Sequence, residues 1–359
     1  MTGGAIASPI IRHLLHTTHL YHTTHSKTRK LMRKFKILMV AFLLGCVALN
    51  AQQEAHYTQF MYNKQLLNPG FAGSRRIASV SALYRTQWVG YEGHPQSYLA
   101  SYDDVFDKNR LGVGLVLQHQ TEGIINRNAA NLAFSYDLIN TEETTLRIGL
   151  NGTLRQYRFD LNNPDVYIKD RNDVTLSQQD APSFTNANIG AGIYFDNKTY
   201  YVGVSVPNLM KNALILNPNA TYTSSAQESR HIYVMAGGFF KFLGNKDLHL
   251  KPSIMYKYVS NAPFSLDANL SVMFKKKLSV GLSYRFGGKF SFGDSISGGG
   301  DSVDLLAFFQ VNEQLGIGVA YDYTLSELRQ YTKGSYEIMM RYDFVPDAKR
   351  IMHNPRYFF

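Results

Sequence analysis

From about residue 78 onward the chain repeats with a period of two, and this restricts it to a sheet. In Leu315–Tyr323 the residues Leu315, Ile317, Val319, Tyr321 and Tyr323 share one face, and Gly316, Gly318, Ala320 and Asp322 share the other. Leu278, Val280, Leu282, Tyr284 and Phe286 stand in the same way against Ser279, Gly281, Ser283 and Arg285. Tyr336, Ile338, Met340, Tyr342 and Phe344 do so against Glu337, Arg341 and Asp343. Similar runs occupy roughly 78–89, 96–106, 110–121, 127–139, 144–159, 185–196, 199–209, 230–242, 249–259, 264–275 and 302–312, which makes fourteen.

The connections narrow the choice of sheet. Short links fall near Asp107-Lys108, Asn140–Glu143, Asp196–Lys198, Leu243–Asp247, Lys275–Lys277 and Asn312–Gln314. Between them come Glu122–Asn126, about 160–184, about 210–229, Ser260–Pro263, about 289–301 and Leu325–Gly334, of which only Ser260–Pro263 is brief. Alternation of short and long links predicts an all-β, closed antiparallel up-and-down barrel of outer-membrane type. In such a barrel tight turns lie on the periplasmic rim and longer loops outside. A soluble sandwich has no reason to sort loops by parity. Ten to twelve residues at about 3.3 Å each, tilted by about 45°, cover a hydrocarbon layer of roughly 25 Å. Closure also pairs every backbone N–H and C=O that lipid would leave without a partner. Tyr84, Trp88, Tyr136, Tyr256, Tyr258, Tyr323, Tyr342 and Phe344 lie near strand ends and suit two interfacial girdles.

Charge adds little once it is mapped. The formal +10 comes from 37 Lys+Arg against 27 Asp+Glu, but seven of the basic residues and none of the acidic ones lie in the first 51 positions. The rest is nearly balanced, which removes the case for a nucleic-acid partner. Residues 37–49 form an apolar run preceded by Arg33, Lys34 and Lys36 and followed by Asn50-Ala51, the pattern of a secretory signal peptide over 32–51. Met32 is then the natural start, and residues 1–31, with histidines at every third position from His13 to His25, read as an upstream extension rather than a metal site. Cys46, the single cysteine, lies inside the signal. Leu44-Gly45-Cys46 is a poor lipobox, so cleavage after Ala51 is expected and leaves a mature chain without thiol chemistry.

Catalytic and cofactor patterns are missing. The pairs Gly112/Gly114, Gly190/Gly192 and Gly316/Gly318 sit inside period-two strands without a following helix, so they are expected to be small residues on the inner wall. Substitution of Gly318 by serine would on that basis be mild. Gly298–Gly300 followed by Asp301 lacks a P-loop's Lys-Ser/Thr and reads as a flexible external loop. The six histidines after residue 51 are scattered, so no metal, cofactor or catalytic residue is assigned, and an acyl hydrolase stays a minor alternative. Strand parity turns Arg85, Arg147, Arg155, Lys251, Lys257, Arg285 and Arg341 inward, against Asp137, Asp267, Asp304, Asp322, Glu337 and Asp343. Such a mixture is expected to pair across the lumen and stiffen it rather than select ions. Arg85, Arg285, Asp322, Glu337 and Arg341 are the candidate charge network.

Before the first strand stand Gln59-Phe60-Met61-Tyr62-Asn63 and Asn68-Pro69-Gly70-Phe71-Ala72-Gly73. After them come Arg85-Thr86-Gln87-Trp88 and, at the end, Asn354-Pro355-Arg356-Tyr357-Phe358-Phe359. In combination these resemble the PorP/SprF family of the type IX secretion system of Bacteroidota, over about 52–359. Lys64-Gln65 and Gly70 depart from its usual proline and alanine. The resemblance implies an outer-membrane barrel that supports secretion or gliding. Its implied partners are outer-membrane lipid, periplasmic ring or peptidoglycan-linked components, and a secreted cell-surface adhesin. On this reading residues 52–77 form a periplasmic N-terminal segment, 78–345 the barrel and 346–359 a periplasmic tail. Asn68, Pro69, Phe71, Arg356, Tyr357 and Phe359 are the candidate partner contacts, with rim packing or a lumen plug as the alternative. A diffusion channel or small-molecule transporter is the competing function.

Overall fold

The computed structural model describes residues 56–106, 110–160, 183–213, 227–242, 245–260, 262–289 and 297–344. Antiparallel strands run in chain order as β1 (Ala78–Thr86), β2 (Gln96–Phe106), β3 (Leu111–Glu122), β4 (Ile125–Asn140) and β5 (Thr144–Phe159). They continue as β6 (Ser183–Asn197), β7 (Tyr200–Val206), β8 (His231–Gly238), β9 (Phe240–Lys241), β10 (Leu248–Val259) and β11 (Phe264–Phe274). The last are β12 (Leu278–Lys289), β13 (Ser297–Gln310), β14 (Leu315–Thr324) and β15 (Ser335–Phe344). Apart from β9, each strand pairs with the strands before and after it, β8 passing directly to β10, and β15 returns to β1, with Ala78 opposite Phe344 and Thr86 opposite Tyr336. Fourteen strands thus close a barrel, and β9 lies outside the ring as a two-residue pairing with His249 and Leu250 of β10. No helix among the described residues is long and apolar enough to cross a membrane.

Side chains are distributed inside out relative to a soluble protein. Leu150 is 67% exposed, while Arg85 and Arg147 on the inner face are 1% and 0% exposed. An apolar exterior over a polar interior is stable only where the exterior meets lipid. Outward aromatics collect toward both rims: Tyr84 with Tyr98 and Tyr321 with Tyr336 at one, Phe195 with Tyr200 and Tyr342 with Phe344 at the other. Trp88 departs from the expected girdle. Its backbone takes the left-handed region at φ 51°, and it lines the mouth of the lumen.

Loop parity holds at most positions, but the link between β3 and β4 is only Gly123-Ile124, with Gly123 at φ 55°. There the length lies in the strands, since β4 and β5 have 16 residues each and β6 has 15. The glycine run is also not loop. Gly298, Gly299 and Gly300 belong to β13 and pair with Gly288, Gly287 and Phe286. Two facing glycine stretches pair without side-chain interference, and composition alone does not show that register.

The lipid face offers a direct check. Val319 points outward at 46% exposure between Ala307 and Ile338 on the neighbouring strands. Val319→Arg is expected to cost roughly 2–4 kcal/mol if this position lies at mid-membrane. Measured on refolded protein in lipid vesicles, a loss near zero would place β14 away from the bilayer centre.

Candidate functional site: the filled lumen

Residues 56–76 occupy the interior of the barrel. Three short 3-10 turns compact this stretch, at Phe60–Tyr62, Lys64–Leu66 and Pro69–Phe71. Asn68 caps the third: its Oδ1 accepts from the Gly70 amide at 2.8 Å, and Pro69 follows, where no amide is required. The Asn68 side chain also donates to the Ile193 carbonyl of β6 at 3.0 Å, so one fully buried amide both caps the turn and fastens it to the wall.

The segment runs the height of the lumen. At the long-loop end the Thr58 and Gln59 amides donate to the two oxygens of Glu337 at 2.6 and 3.0 Å. The Thr58 hydroxyl lies 2.7 Å from each Asp322 oxygen. Arg85 bridges the same acids, with Nη1 2.6 Å from Glu337 and Nη2 2.7 Å from Asp322. Arg285 lies beside them, 2.6 Å from Asp267 and 3.8 Å from Asp322. Charges this deeply buried are tolerated only when paired and hydrogen-bonded, and the planar Arg85 fork meets that need. The apolar side chains of the segment sink into the inner wall below. Phe60, Met61, Leu67 and Phe71 pack with Tyr194, Tyr201, Tyr233, Met235 and Met255, and Tyr57 packs with Leu83, Leu99, Val116 and Met339.

At the short-turn end the segment is tied again. Arg75 makes a two-pronged contact with Asp343 at 2.7 and 3.1 Å. Arg76, whose backbone sits at φ 65°, reaches Asp137 at 2.6 Å. Arg147 joins this group with Nε 2.7 Å from Asp137 and donates to the Ala72 carbonyl at 2.6 Å.

The inner-wall glycines give this segment room. A Cβ on Gly112 would lie 2.1 Å from the Ala72 carbonyl oxygen, and one on Gly149 would lie 2.3 Å from the Pro69 carbonyl carbon. At Gly318 a Cβ would meet the Gln59 Oε1 at 2.2 Å, the far end of a flexible side chain, so Gly318→Ser requires the Gln59 amide to shift.

A second carboxylate hub lies outside the strands. Glu228 accepts from Arg155 at 3.0 Å, Tyr157 at 2.9 Å, Asn188 at 3.2 Å and Asn212 at 2.9 Å, fastening the approach to β8 against β5 and β6. Burial works to raise its pKa, but Arg155 and the hydrogen bonds from Tyr157 and Asn212 outweigh it and hold the carboxyl below its ordinary value. Nothing in the strand pattern pointed to Glu228. Above the segment, a polar vestibule of about 360 Å³ is lined by His56, Arg85, Trp88, Gln120, Arg127 and Arg285 among others.

The residues singled out from sequence therefore separate. Arg85, Arg285, Asp322 and Glu337 meet at one place, whereas Arg341 lies toward the other rim and pairs with Asp343 at 3.3 Å. Asn68, Pro69 and Phe71 are buried, and Phe71 packs edge-on against Tyr194 at 5.3 Å between ring centres. The idea of an exposed periplasmic contact is thus corrected for these three, because the lumen wall covers them. Arg356, Tyr357 and Phe359 lie outside the described residues. Among the described residues no group of three or more His, Cys, Asp or Glu could hold a metal ion.

Comparison with known proteins finds several similar solved structures and one matching family. The chain resembles the outer membrane protein Omp33 of Acinetobacter baumannii (8% identity, 75% of this chain and 99% of that one, TM-score 0.40). It also resembles a Pseudomonas aeruginosa FadL homologue (12%, 77% and 93%, 0.42). The third is a TodX monoaromatic hydrocarbon channel mutant (12%, 78% and 94%, 0.48). No curated protein matches the chain. The family described as type IX secretion system membrane protein PorP/SprF matches residues 49–342. An outer-membrane β-barrel whose own N-terminal stretch fills the lumen, this chain belongs to the PorP/SprF family of type IX secretion system membrane proteins.

Proposed function

We propose that this barrel is a docking platform of the type IX secretion or gliding machinery, supporting secretion or surface retention of an adhesin and engaging periplasmic ring components. The observation that carries this reading is the occupied lumen. A segment fixed by hydrogen bonds to buried acids at one end, by ion pairs at the other and by apolar packing between them leaves little room for solute flow, which disfavours the diffusion channel. The loops at 87–95 and 325–334 on the long-loop rim are part of the surface offered to a client. The tail residues Arg356, Tyr357 and Phe359 keep their proposed role toward periplasmic partners, the arginine as a planar fork for carboxylates.

The purified barrel in planar bilayers is expected to show no steady conductance, and a stable open pore would favour the channel instead. Orientation is tested on intact cells, since no cysteine follows residue 51. Glu92→Cys and Glu327→Cys on the long-loop rim should react with an impermeant thiol reagent, while Glu143→Cys and Lys246→Cys on the opposite rim should not. The reversed pattern would turn the platform over. Pull-down of the full-length protein with identification of co-purifying proteins tests the partner assignment itself.

A further inference from the structure

The short-turn rim carries its charge unevenly. Lys241 of β9, Lys246 just before β10, and Lys275, Lys276 and Lys277 between β11 and β12 lie on two neighbouring turns, with Asp247 as the acid among them. The Lys275 amide donates to the Asp247 carbonyl at 2.7 Å, which holds the two turns together. Elsewhere on this rim the turns after β4 and β13 carry Glu142, Glu143 and Glu313, and Lys198 after β6 is paired with Glu143. Positive charge is thus gathered in one sector.

The backbone gives up its easiest conformation to place these side chains. The Lys277 amide donates to the Phe274 carbonyl at 2.9 Å, closing a tight turn whose central residues, Lys275 and Lys276, sit at φ 48° and 55°. A hairpin turn with both central residues left-handed is the usual place of Asn-Gly, because a side chain with a long stem is strained there. Two lysines do nothing for the turn that Asn-Gly would not do better. Their charges are also crowded: burial, and then repulsion from Lys241, hold the Lys276 amine below its ordinary value. The border of the patch is apolar. Phe240, Phe242, Phe274 and Leu278 are exposed beside the lysines, and the Lys275 Nζ lies 5.2 Å from the centre of the Phe274 ring. Aromatics and lysines together at the end of an outward apolar belt mark the membrane–water interface, where long stems reach from hydrocarbon to headgroups. Basic clusters at that depth attract anionic lipid.

We propose that Lys241, Lys275, Lys276 and Lys277 form a binding site for the phosphate headgroup of an anionic phospholipid, with Phe240, Phe242 and Phe274 against its acyl chains. The phosphate oxygens accept from the ammoniums and relieve their mutual repulsion. An acidic protein would meet the same charges but not the apolar border. The site needs the barrel to stand in a bilayer; it depends neither on the docking role nor on which rim is periplasmic.

The test uses the full-length barrel in micelles of an uncharged detergent, supplied with phosphatidylglycerol or phosphatidylcholine. Native mass spectrometry should find phosphatidylglycerol retained at collision energies that strip phosphatidylcholine, and its addition should raise the melting temperature by several degrees. Lys275→Asn with Lys276→Gly removes two of the charges and supplies the residues that the turn prefers. This double variant should melt above the native chain in phosphatidylcholine and lose most of the shift given by phosphatidylglycerol. Adding Lys241→Gln and Lys277→Gln should remove the rest, whereas Lys198→Gln on the same rim should leave it unchanged. If the fourfold variant does not assemble, the double variant decides alone. Equal retention of the two lipids overturns the proposal, as does a preference that survives in the variants. Loss of a co-purifying acidic protein from the variants, with the lipid preference unchanged, would assign the patch to a protein partner and overturn it too.

Discussion

Gly149→Val, combined with Gly112→Val, is expected to unseat residues 68–72 while leaving the barrel closed. Both glycines face atoms of the plug backbone, which cannot turn aside as a side-chain end can. The first Cβ would sit 2.3 Å from the Pro69 carbonyl carbon and 2.4 Å from the Gly70 nitrogen, the second 2.1 Å from the Ala72 oxygen. The plug therefore moves or the wall does, and the wall is held by continuous ladders through β3–β6. Displacing Leu67 and Phe71 alone forfeits roughly 1.5–3 kcal/mol each. The double variant should still show the heat-modifiable migration of a folded barrel, should become sensitive to trypsin at Arg75 or Arg76, and should conduct in planar bilayers where the native chain does not. Unchanged protease resistance and silence would mean that the lumen tolerates the added volume and that the groove is not what seats the plug.

Arg85→Met should be the most damaging single charge removal. It leaves Asp322 and Glu337 buried at 2% and 3% exposure, with Thr58, Gln59 and a more distant Arg285 as their remaining partners. Removing one side of a buried pair costs about 3–5 kcal/mol. Arg85→Lys should recover only part of the loss, because one ammonium cannot serve both Glu337 Oε1 and Asp322 Oδ2, which Arg85 reaches through separate nitrogens. Urea unfolding in lipid vesicles measures the difference. Equal stability of the lysine variant and the native chain would show that charge alone suffices and that the fork geometry is incidental.

The barrel was legible in the sequence because strand parity is a local signal. Leu315, Ile317 and Val319 alternate with Gly316 and Gly318 whatever the rest of the chain does. Parity also turned the charged residues inward, but it could not say which of them meet. Arg85 and Glu337 are 252 positions apart and face each other only because the last strand closes on the first. Arg341, four residues beyond Glu337 on β15, serves a different cluster because two more side chains along the same face carry it toward the other rim. The plug was least legible. Its turns are three residues long, and nothing in Phe60–Phe71 shows a repeat that separates a buried segment from a surface one. Even its glycine groove was visible only as small residues, since what they make room for lies elsewhere in the sequence.

The bond between the Thr58 amide and Glu337 spans 279 positions, and that between Arg75 and Asp343 spans 268. The strand that fixes the plug is thus the last one of the ring, and it is the same strand that closes the barrel. Contacts of such high order bear the full entropy of closing the longest loop in the chain, so they form late. Seating the plug and closing the seam between β1 and β15 are then one kinetic event. A chain stopped before β15 would carry a sheet with two free edges and an untethered N-terminal stretch. Refolding followed by pulsed proteolysis should accordingly find protection of Arg75 and Arg76 appearing at the same rate as the heat-modifiable form, with neither preceding the other.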